Sequence, residues 1–157
     1  MEMKRLTSAD FPELYEVVLR NEPFASELTP TMSHFQTIMQ DVEGFCLRDR
    51  GKLAGAITFN YLVPLVDVFI HAVIDLPCRK YWANRTIGRK IGEYAFGELS
   101  LPRISSYGIS DVTPEAMKFL LRLGFKQEGL RRRAARFPDG YHDVILFGVL
   151  KEEWRWN

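Results

Sequence analysis

The sequence has few of the features that are typical of a secreted or membrane protein. Its 157 residues include two cysteines, Cys46 and Cys78, which form neither a disulfide framework nor a closely spaced redox or metal-binding pair. No apolar run approaches the ~20 residues that a membrane-spanning helix needs. The first residues are charged and lack the apolar core of a signal peptide. We therefore expect one cytoplasmic domain with reduced cysteines and no membrane partner.

An excess of charge of either sign is also missing. Lys and Arg total 21 against 20 Asp and Glu, which gives a formal net charge of +1. This balance argues against non-specific binding of nucleic acids or membranes. Basic residues do cluster in residues 79–90 and 131–136, and such loops suit a small polyanionic ligand better than a DNA duplex. We therefore expect no nucleic-acid partner.

What the sequence does contain is a regular succession of β-rich and helix-periodic segments, in the order β-α-α-β-β-β-α-β-α-β-β. One helix is indicated by an apolar stripe with a period of four: Ala83, Ile87, Ile91, Ala95 and Leu99. Thr113 and Pro114 are typical of a helix start, and Gly124 of a helix end. A mixed sheet covered by helices on both faces satisfies this order.

The same order, with three local stretches, resembles the GNAT superfamily of acyl-CoA-dependent N-acetyltransferases. Residues 121–129, LRLGFKQEG, resemble its helix–glycine–phenylalanine–strand junction. Residues 141–154 resemble the closing segment of its branch that acetylates ribosomal-protein N-termini, and residues 3–14 its usual opening. The resemblance covers the whole chain, residues 1–157, as a single domain. It implies an α/β (α+β) fold with a mixed, mostly antiparallel sheet of about six or seven strands, flanked by about four helices.

The activity that this resemblance implies is transfer of an acetyl group from acetyl-CoA to a primary amine of a protein, peptide or small molecule. The amine attacks the thioester directly. Two alternatives stay open on the same fold: an acyl-CoA-binding protein without turnover, and a protein-interaction module that no longer binds CoA.

The family binds the CoA pyrophosphate with a loop of the form Arg/Gln-x-x-Gly-x-Gly/Ala that opens a helix. Residues 85–90 half fit that form. However, the family places about 25 residues between the start of this loop and the Arg-Ile pair of the next strand, here Arg103-Ile104. Counting back 25 residues from Ile104 reaches Arg79, whereas a loop at Arg85 leaves 19 and would interrupt the apolar stripe. We therefore place the loop at residues 79–84 and interpret Gly88 as a packing glycine within the helix.

In this position Trp82 and Asn84 replace the small residues of the family, as in some prophage-type members with a similar Arg…Trp loop. A tryptophan there must turn its side chain away from the phosphates. By resemblance, main-chain groups of the strand before the loop bind the pantetheine arm. The predicted cofactor-binding residues are Ala72, Val73, Ile74, Arg79, Lys80, Tyr81, Trp82, Ala83, Asn84, Arg85 and Thr113.

The chemistry requires a base for the ammonium proton and a route for protonating the thiolate. Strand alternation places Asp67, His71 and Val73 on one face of the same strand. His71, whose ordinary pKa of about 6.5 suits proton transfer near neutrality, is the first choice of base, and Asp67 is the second. His71 could instead be a hydrogen-bonded core histidine, and Asp67 could instead bind the substrate amine. Glu128 is the third choice.

The general acid cannot be assigned from the sequence. The family's frequent tyrosine is replaced here by Leu120, and Thr113 better fits a helix cap. Water could then protonate the thiolate, because a thiol with a pKa of about 8.5 is a tolerable leaving group. Asp143 could bind an amine or pair with residues 131–133 across a hairpin. The remaining aromatic residues are expected in the core or in a homodimer interface: Tyr94, Phe96, Trp154 and Trp156.

Overall fold

The protein is described by a computed structural model that covers residues 1–22, 25–109 and 114–156. Seven strands in this part of the chain form one mixed sheet in the order β1-β2-β3-β4-β5-β7-β6. The strands are β1 Glu2–Arg5, β2 Glu43–Asp49, β3 Lys52–Val63, β4 Asp67–Ile74, β5 Arg103–Ile109, β6 Lys126–Phe137 and β7 Gly140–Leu150. The helices are α1 Phe11–Asn21, α2 Ala25–Leu28, α3 Met32–Met39, α4 Arg85–Gly92 and α5 Pro114–Leu123. The predicted mixed sheet with flanking helices is confirmed.

Contacts divide the chain into two compact units. The first comprises Met1–Asn60 and His71–Trp82, and the second comprises Tyr61–Ile70 and Ala83–Asn157. Strand β4 therefore begins in the second unit and ends in the first. This division matters for the site, because candidate residues on β4 and in the loop after it belong to different units.

The first unit packs its helices over antiparallel strands. β1 pairs with β2, and β2 pairs with β3. The apolar faces of α1 and α3 converge on the β-strand side chains in a core that includes Leu14, Val17, Phe35, Ala56 and Val73. Burial of these side chains stabilises the helices far more than their short length could.

The second unit is built on β5, β7 and β6, which pair antiparallel in that order. Strand β4 adds to β5 in parallel, with Phe69 opposite Ser105. Helix α5 ends at Gly124, whose φ of +108° is the left-handed conformation that suits a helix cap. A single π-helical turn, Glu93–Glu98, continues α4.

The predicted stripe is confirmed for Ile87, Ile91 and Ala95, which are fully buried, whereas Ala83 and Leu99 are half-buried and lie outside the helical residues. Gly88 is a packing glycine as predicted: a Cβ there would lie 2.1 Å from the Trp156 ring. The helix begins at Arg85, two residues later than the stripe suggests, because Asn84 caps it. Residues 85–90 are helical, which fits the earlier placement of the phosphate loop, and that placement stays a prediction.

Two local expectations from the sequence were wrong. Two prolines in residues 21–30 predict a loop, but Ala25–Leu28 form the one-turn helix α2. This turn is too short for periodicity to reveal it. The turn residues 138–140 predict that the last strand starts at Tyr141, but β7 begins at Gly140, because the tight turn leaves Gly140 opposite Phe137.

Both cysteines are buried and free. Within the described ranges, no helix combines the length and apolar character that crossing a membrane would require.

The packing of α4 against the C-terminal segment can be tested by substituting a glycine of the helix. A Cβ at Gly92 would lie 2.4 Å from Trp154 Nε1, whereas one at Gly97 would meet nothing within 4 Å. We expect Gly92→Ala to lower the free energy of unfolding by about 1–3 kcal/mol through overpacking. The matched variant Gly97→Ala should be neutral or stabilise by up to about 1 kcal/mol. Denaturant unfolding measures both, and equal effects would contradict the packing described.

Candidate active site

His71 lies on β4 where exposed and buried side chains alternate. Val68 and Ile70 are buried, whereas Asp67, Phe69 and His71 are partly exposed, as the period-two pattern predicts. Val73 departs from the pattern because it is buried in the core of the first unit.

The environment of His71 favours a neutral imidazole. Burial lowers the pKa of His71 below its ordinary value, because the protonated ring loses water. Its main-chain carbonyl accepts a hydrogen bond from Thr58 Oγ1 at 3.5 Å, and the Thr58 hydroxyl accepts one from Asn60 Nδ2 at 3.0 Å. A neutral ring at neutral pH can accept a proton, which is what a general base must do.

The main chain at the end of β4 lies close to β3. A Cβ at Gly55 would be 2.2 Å from the Val73 carbonyl oxygen, so only glycine fits there. The Ile74 carbonyl accepts a hydrogen bond from Arg79 Nε at 3.0 Å. The Ile74 carbonyl is therefore already used by a side chain of the loop that follows β4.

Arg79, the first residue of the predicted phosphate loop, is anchored to the last turn of α1. Besides its bond to Ile74, its Nη2 lies 3.5 Å from Asn21 Oδ1. Asn21 Nδ2 in turn donates to Asp75 Oδ1 at 3.0 Å, and Arg20 pairs with Asp75 Oδ2 at 3.2 Å. These contacts fix the guanidinium of Arg79 while leaving the residue exposed.

Glu22 is a candidate that sequence reasoning missed. It lies at the end of α1 in the first unit, and burial raises the pKa of its carboxyl although the positive charge of Arg79 opposes that shift. A desolvated carboxyl with a raised pKa is a typical proton acceptor or donor. No sequence signal marked it, because a single glutamate in a predicted loop has no pattern.

Several main-chain N–H groups of the loop before α4 are already hydrogen-bonded within that loop. Leu76–Cys78 form a 3₁₀ turn. The N–H groups of Arg79, Tyr81 and Trp82 then donate to carbonyls of this turn, at 3.1 to 3.3 Å. These three amides are therefore not the donors that a phosphate would meet.

The Trp82 side chain is buried, with 7% of its surface exposed. This agrees with the expectation that tryptophan must turn away from a bound phosphate. The Tyr81 hydroxyl contacts Cys78 Sγ at 3.3 Å and donates to Asp49 Oδ2 at 3.1 Å. These two contacts raise the pKa of the Tyr81 hydroxyl to about 12, and the contact with Cys78 has the larger effect. Tyr81 is therefore a neutral, anchored side chain and a poor proton donor at neutral pH.

The N-terminus of α4, in the second unit, offers main-chain donors. The N–H groups of Arg85 and Thr86 have no acceptor within the described part of the chain. The Asn84 Oδ1 accepts from the Ile87 N–H at 3.2 Å, and the Asn84 carbonyl accepts from the Gly88 N–H at 3.0 Å. Two amides and the positive end of the helix dipole therefore face outward, while the carboxamide of Asn84 satisfies a third amide.

Asp67 and Glu128, the second and third choices of base, share one arginine in the second unit. Arg103 Nε donates to Asp67 Oδ2 at 3.1 Å, and Arg103 binds both oxygens of Glu128, one of them at 2.8 Å. The Ser105 hydroxyl donates to the same Asp67 oxygen at 2.5 Å. Bidentate binding raises the pKa of Arg103 and lowers that of Glu128. Glu128 is thereby a weaker base than an isolated glutamate.

The second carboxylate oxygen of Asp67 has an unusual environment. This oxygen, Oδ1, is buried and lacks a hydrogen-bond partner among the described residues. A buried carboxylate oxygen without a donor is costly, so this atom is the part of Asp67 that could accept a proton or bind an amine. Thr113, the remaining predicted cofactor contact, lies outside the described residues.

The comparison with known proteins concerns the fold. No protein-family model matches the chain. The spermidine N-acetyltransferase of Vibrio cholerae, solved as a single-residue mutant, superposes with a TM-score of 0.78 over 97% of this chain and 96% of its own, at 19% identity. The ribosomal-protein-S18-alanine N-acetyltransferase of Escherichia coli gives 0.72 over 95% and 92%, at 18% identity. The ribosomal-protein-S5-alanine acetyltransferase of Vibrio fischeri gives 0.70 over 98% and 94%, at 17% identity.

This chain has the GNAT fold. The predicted fold is confirmed over almost the whole chain, including the strand, loop and helix that carry most of the candidate residues. Sequence identities below 20% are too low to assign this chain an acceptor substrate or residue roles from those proteins. Those roles have to be argued from the geometry of this molecule.

Proposed function

We propose that this protein is an N-acetyltransferase that moves the acetyl group of acetyl-CoA to a primary amine. The observation that carries the proposal is the superposition with three N-acetyltransferases over 95–98% of the chain. Because a fold alone does not fix an activity, the residues must also suit the reaction. The acetyl-CoA thioester supplies an activated acyl group with a thiolate leaving group.

The donors at the start of α4 suit the pyrophosphate. The amides of Arg85 and Thr86 have no acceptor among the described residues, and the helix dipole adds to their attraction for an anion. Arg79, Lys80 and Arg85, all exposed, can add positive charge. Main-chain groups of Ala72 and Val73, and the Ile74 N–H, are the proposed contacts of the pantetheine arm.

His71 is the proposed base. Its imidazole, kept neutral by burial, takes the proton of the ammonium group, directly or through a water, so that a neutral amine can attack the thioester carbonyl. The carbon–nitrogen bond forms and the carbon–sulfur bond breaks. The second proton of the attacking nitrogen passes through water to the departing thiolate, which leaves as the thiol. Asp67 Oδ1 is the proposed second choice, either as base or as the partner of the substrate amine.

One observation favours the alternative of a protein that no longer binds CoA. The Asn84 carboxamide accepts from the Ile87 N–H, an amide that a phosphate would otherwise meet. A cofactor must displace this bond or bind the two remaining amides without it.

A thermal-shift titration separates these possibilities. If the protein binds acetyl-CoA, a concentration 100 times the Kd should stabilise it by about 2.7 kcal/mol, which raises the Tm by roughly 5–11 °C for a domain of this size. S-acetylpantetheine, which lacks the pyrophosphate, is the control and should stabilise less. No shift at millimolar acetyl-CoA would contradict both acyl-CoA functions. A panel of amines and peptides assayed for released thiol then distinguishes the enzyme from a binder without turnover.

A further inference from the structure

Three consecutive arginines on β6 are exposed and form no ion pair with any described residue. Arg131, Arg132 and Arg133, here called the arginine surface, have no carboxylate within 4 Å among the described residues. By contrast, Arg48 pairs with two carboxylates and Arg103 with two others. Acidic residues that pair with arginines are thus present elsewhere in the chain, whereas this hairpin brings together three arginines without such a pair.

An irregularity in the β6–β7 pairing shapes this surface. Arg131 lies opposite Val144 and Ala135 opposite His142, so four steps along β6 match two steps along β7. The extra residues form a bulge in which Arg133 has a φ of +51°. Asp143 holds the bulge, because its Oδ1 accepts a hydrogen bond from the Arg133 N–H at 2.8 Å.

This contact bears on the two roles left open for Asp143, amine binding and pairing with residues 131–133. Asp143 does bond within residues 131–133, but with the main chain of Arg133 rather than with a guanidinium. The carboxylate of Asp143 is therefore used to fix the backbone. The three guanidinium groups stay available to an external partner.

The surface also lies on an open edge. Strand β6 is the last strand in the sheet order, so one side of it pairs with no strand of the described chain. Leu130, beside the arginines, is 53% exposed, and Tyr141 on β7 is 67% exposed. An open edge can add an extended polypeptide through main-chain hydrogen bonds, with side chains at alternate positions giving specificity.

We propose that the arginine surface docks an extended acidic segment of another polypeptide. Guanidinium groups bind carboxylates in a planar, bidentate geometry, and three of them on one strand match carboxylates at nearby positions of an added strand. A nucleic acid fits less well, because the chain carries a net charge of only +1 and the surface spans one short bulge. This proposal does not depend on acetyl transfer.

The test uses a fluorescent peptide of about ten residues that alternates Glu and Thr, and a control peptide with Gln in place of Glu. We expect the Glu peptide alone to bind, with an affinity that falls as salt rises. The variant R131A/R132A/R133A should lose at least tenfold in affinity at low ionic strength, with an unchanged Tm as the check on folding. Asp143→Asn keeps an acceptor for the Arg133 N–H and removes a repelling charge, so it should bind the peptide about two- to fivefold more tightly.

Four outcomes would overturn the proposal. They are equal affinity of the triple variant, tighter binding of a single-stranded RNA of equal charge, displacement of the peptide by acetyl-CoA, and weaker binding by Asp143→Asn at unchanged Tm. If the triple variant keeps its affinity for the Glu peptide and also self-associates, the arginines serve only to prevent the β6 edges of two copies from pairing.

Discussion

Replacing His71 with alanine should lower turnover at least tenfold and leave the affinity for acetyl-CoA within about twofold of the wild type. A positioned general base typically contributes about 10²–10⁴-fold to a rate, so its loss should dominate the kinetics. The His71 imidazole is not among the proposed contacts of the pyrophosphate, which lie at the start of α4. Steady-state kinetics with a reactive amine, together with an acetyl-CoA titration, measure the two effects separately.

The pH profile distinguishes a base from a structural histidine. Burial lowers the pKa of His71, so the neutral form persists below the ordinary value of about 6.5. The wild-type kcat/KM should therefore rise with pH, with a midpoint below that value, and His71→Ala should lose this limb. Unchanged turnover in His71→Ala would contradict the assignment. Glu22→Gln is the comparison: if it alone removes the limb, Glu22 is the base.

The same shift has a consequence for stability. Because the folded state resists protonating His71, the unfolded state binds that proton more readily at mildly acidic pH. The contribution of His71 to stability is therefore lost as pH falls through the unfolded value of about 6.5 and stops changing below the folded pKa. This loss should be absent in His71→Ala, whatever the histidine does in catalysis.

Periodic features of the fold were predictable from the sequence. The stripe predicted the start of α4 to within two residues, because Ile87 and Ile91 must reach the core together, but it gave no sign that a π-helical turn replaces the α-helix after Gly92. The family resemblance supplied the spacing from Arg103-Ile104, and this spacing led us to place the phosphate loop before Gly88. The helical state of residues 85–92 agrees with that placement. Such features are predictable because burial imposes a regular pattern.

Single contacts across the fold were not predictable. The contact of Arg79 with Asn21 and the sharing of Arg103 by two candidate bases both depend on which segments meet in space. The β6 bulge likewise shows no pattern in sequence, since its arginines read as an ordinary basic hairpin. Individual polar contacts depend on tertiary distances, which periodicity does not contain.

The position of the phosphate loop gives the second large effect. We expect Arg79→Glu to weaken acetyl-CoA binding at least tenfold, and more than Arg85→Glu does. The Arg79 guanidinium is held by Ile74 and Asn21, so its charge is preorganised. The Arg85 side chain is exposed at the helix start, where solvent and salt screen its charge. Its main-chain N–H, the more useful donor, survives in Arg85→Glu.

Isothermal titration with acetyl-CoA compares the two variants, and the Tm without ligand shows whether either one disturbs the fold. Arg79→Glu places a second carboxylate beside Glu22, so Arg79→Gln is needed to separate lost attraction from new repulsion. It should weaken binding in the same direction but less. If Arg85→Glu has the larger effect at equal stability, the phosphates lie beside the Arg85 side chain and residues 79–84 are not the loop. Asn84→Gly completes the comparison: by freeing the Ile87 N–H it should strengthen binding if that amide faces the pyrophosphate, and leave it unchanged if it does not.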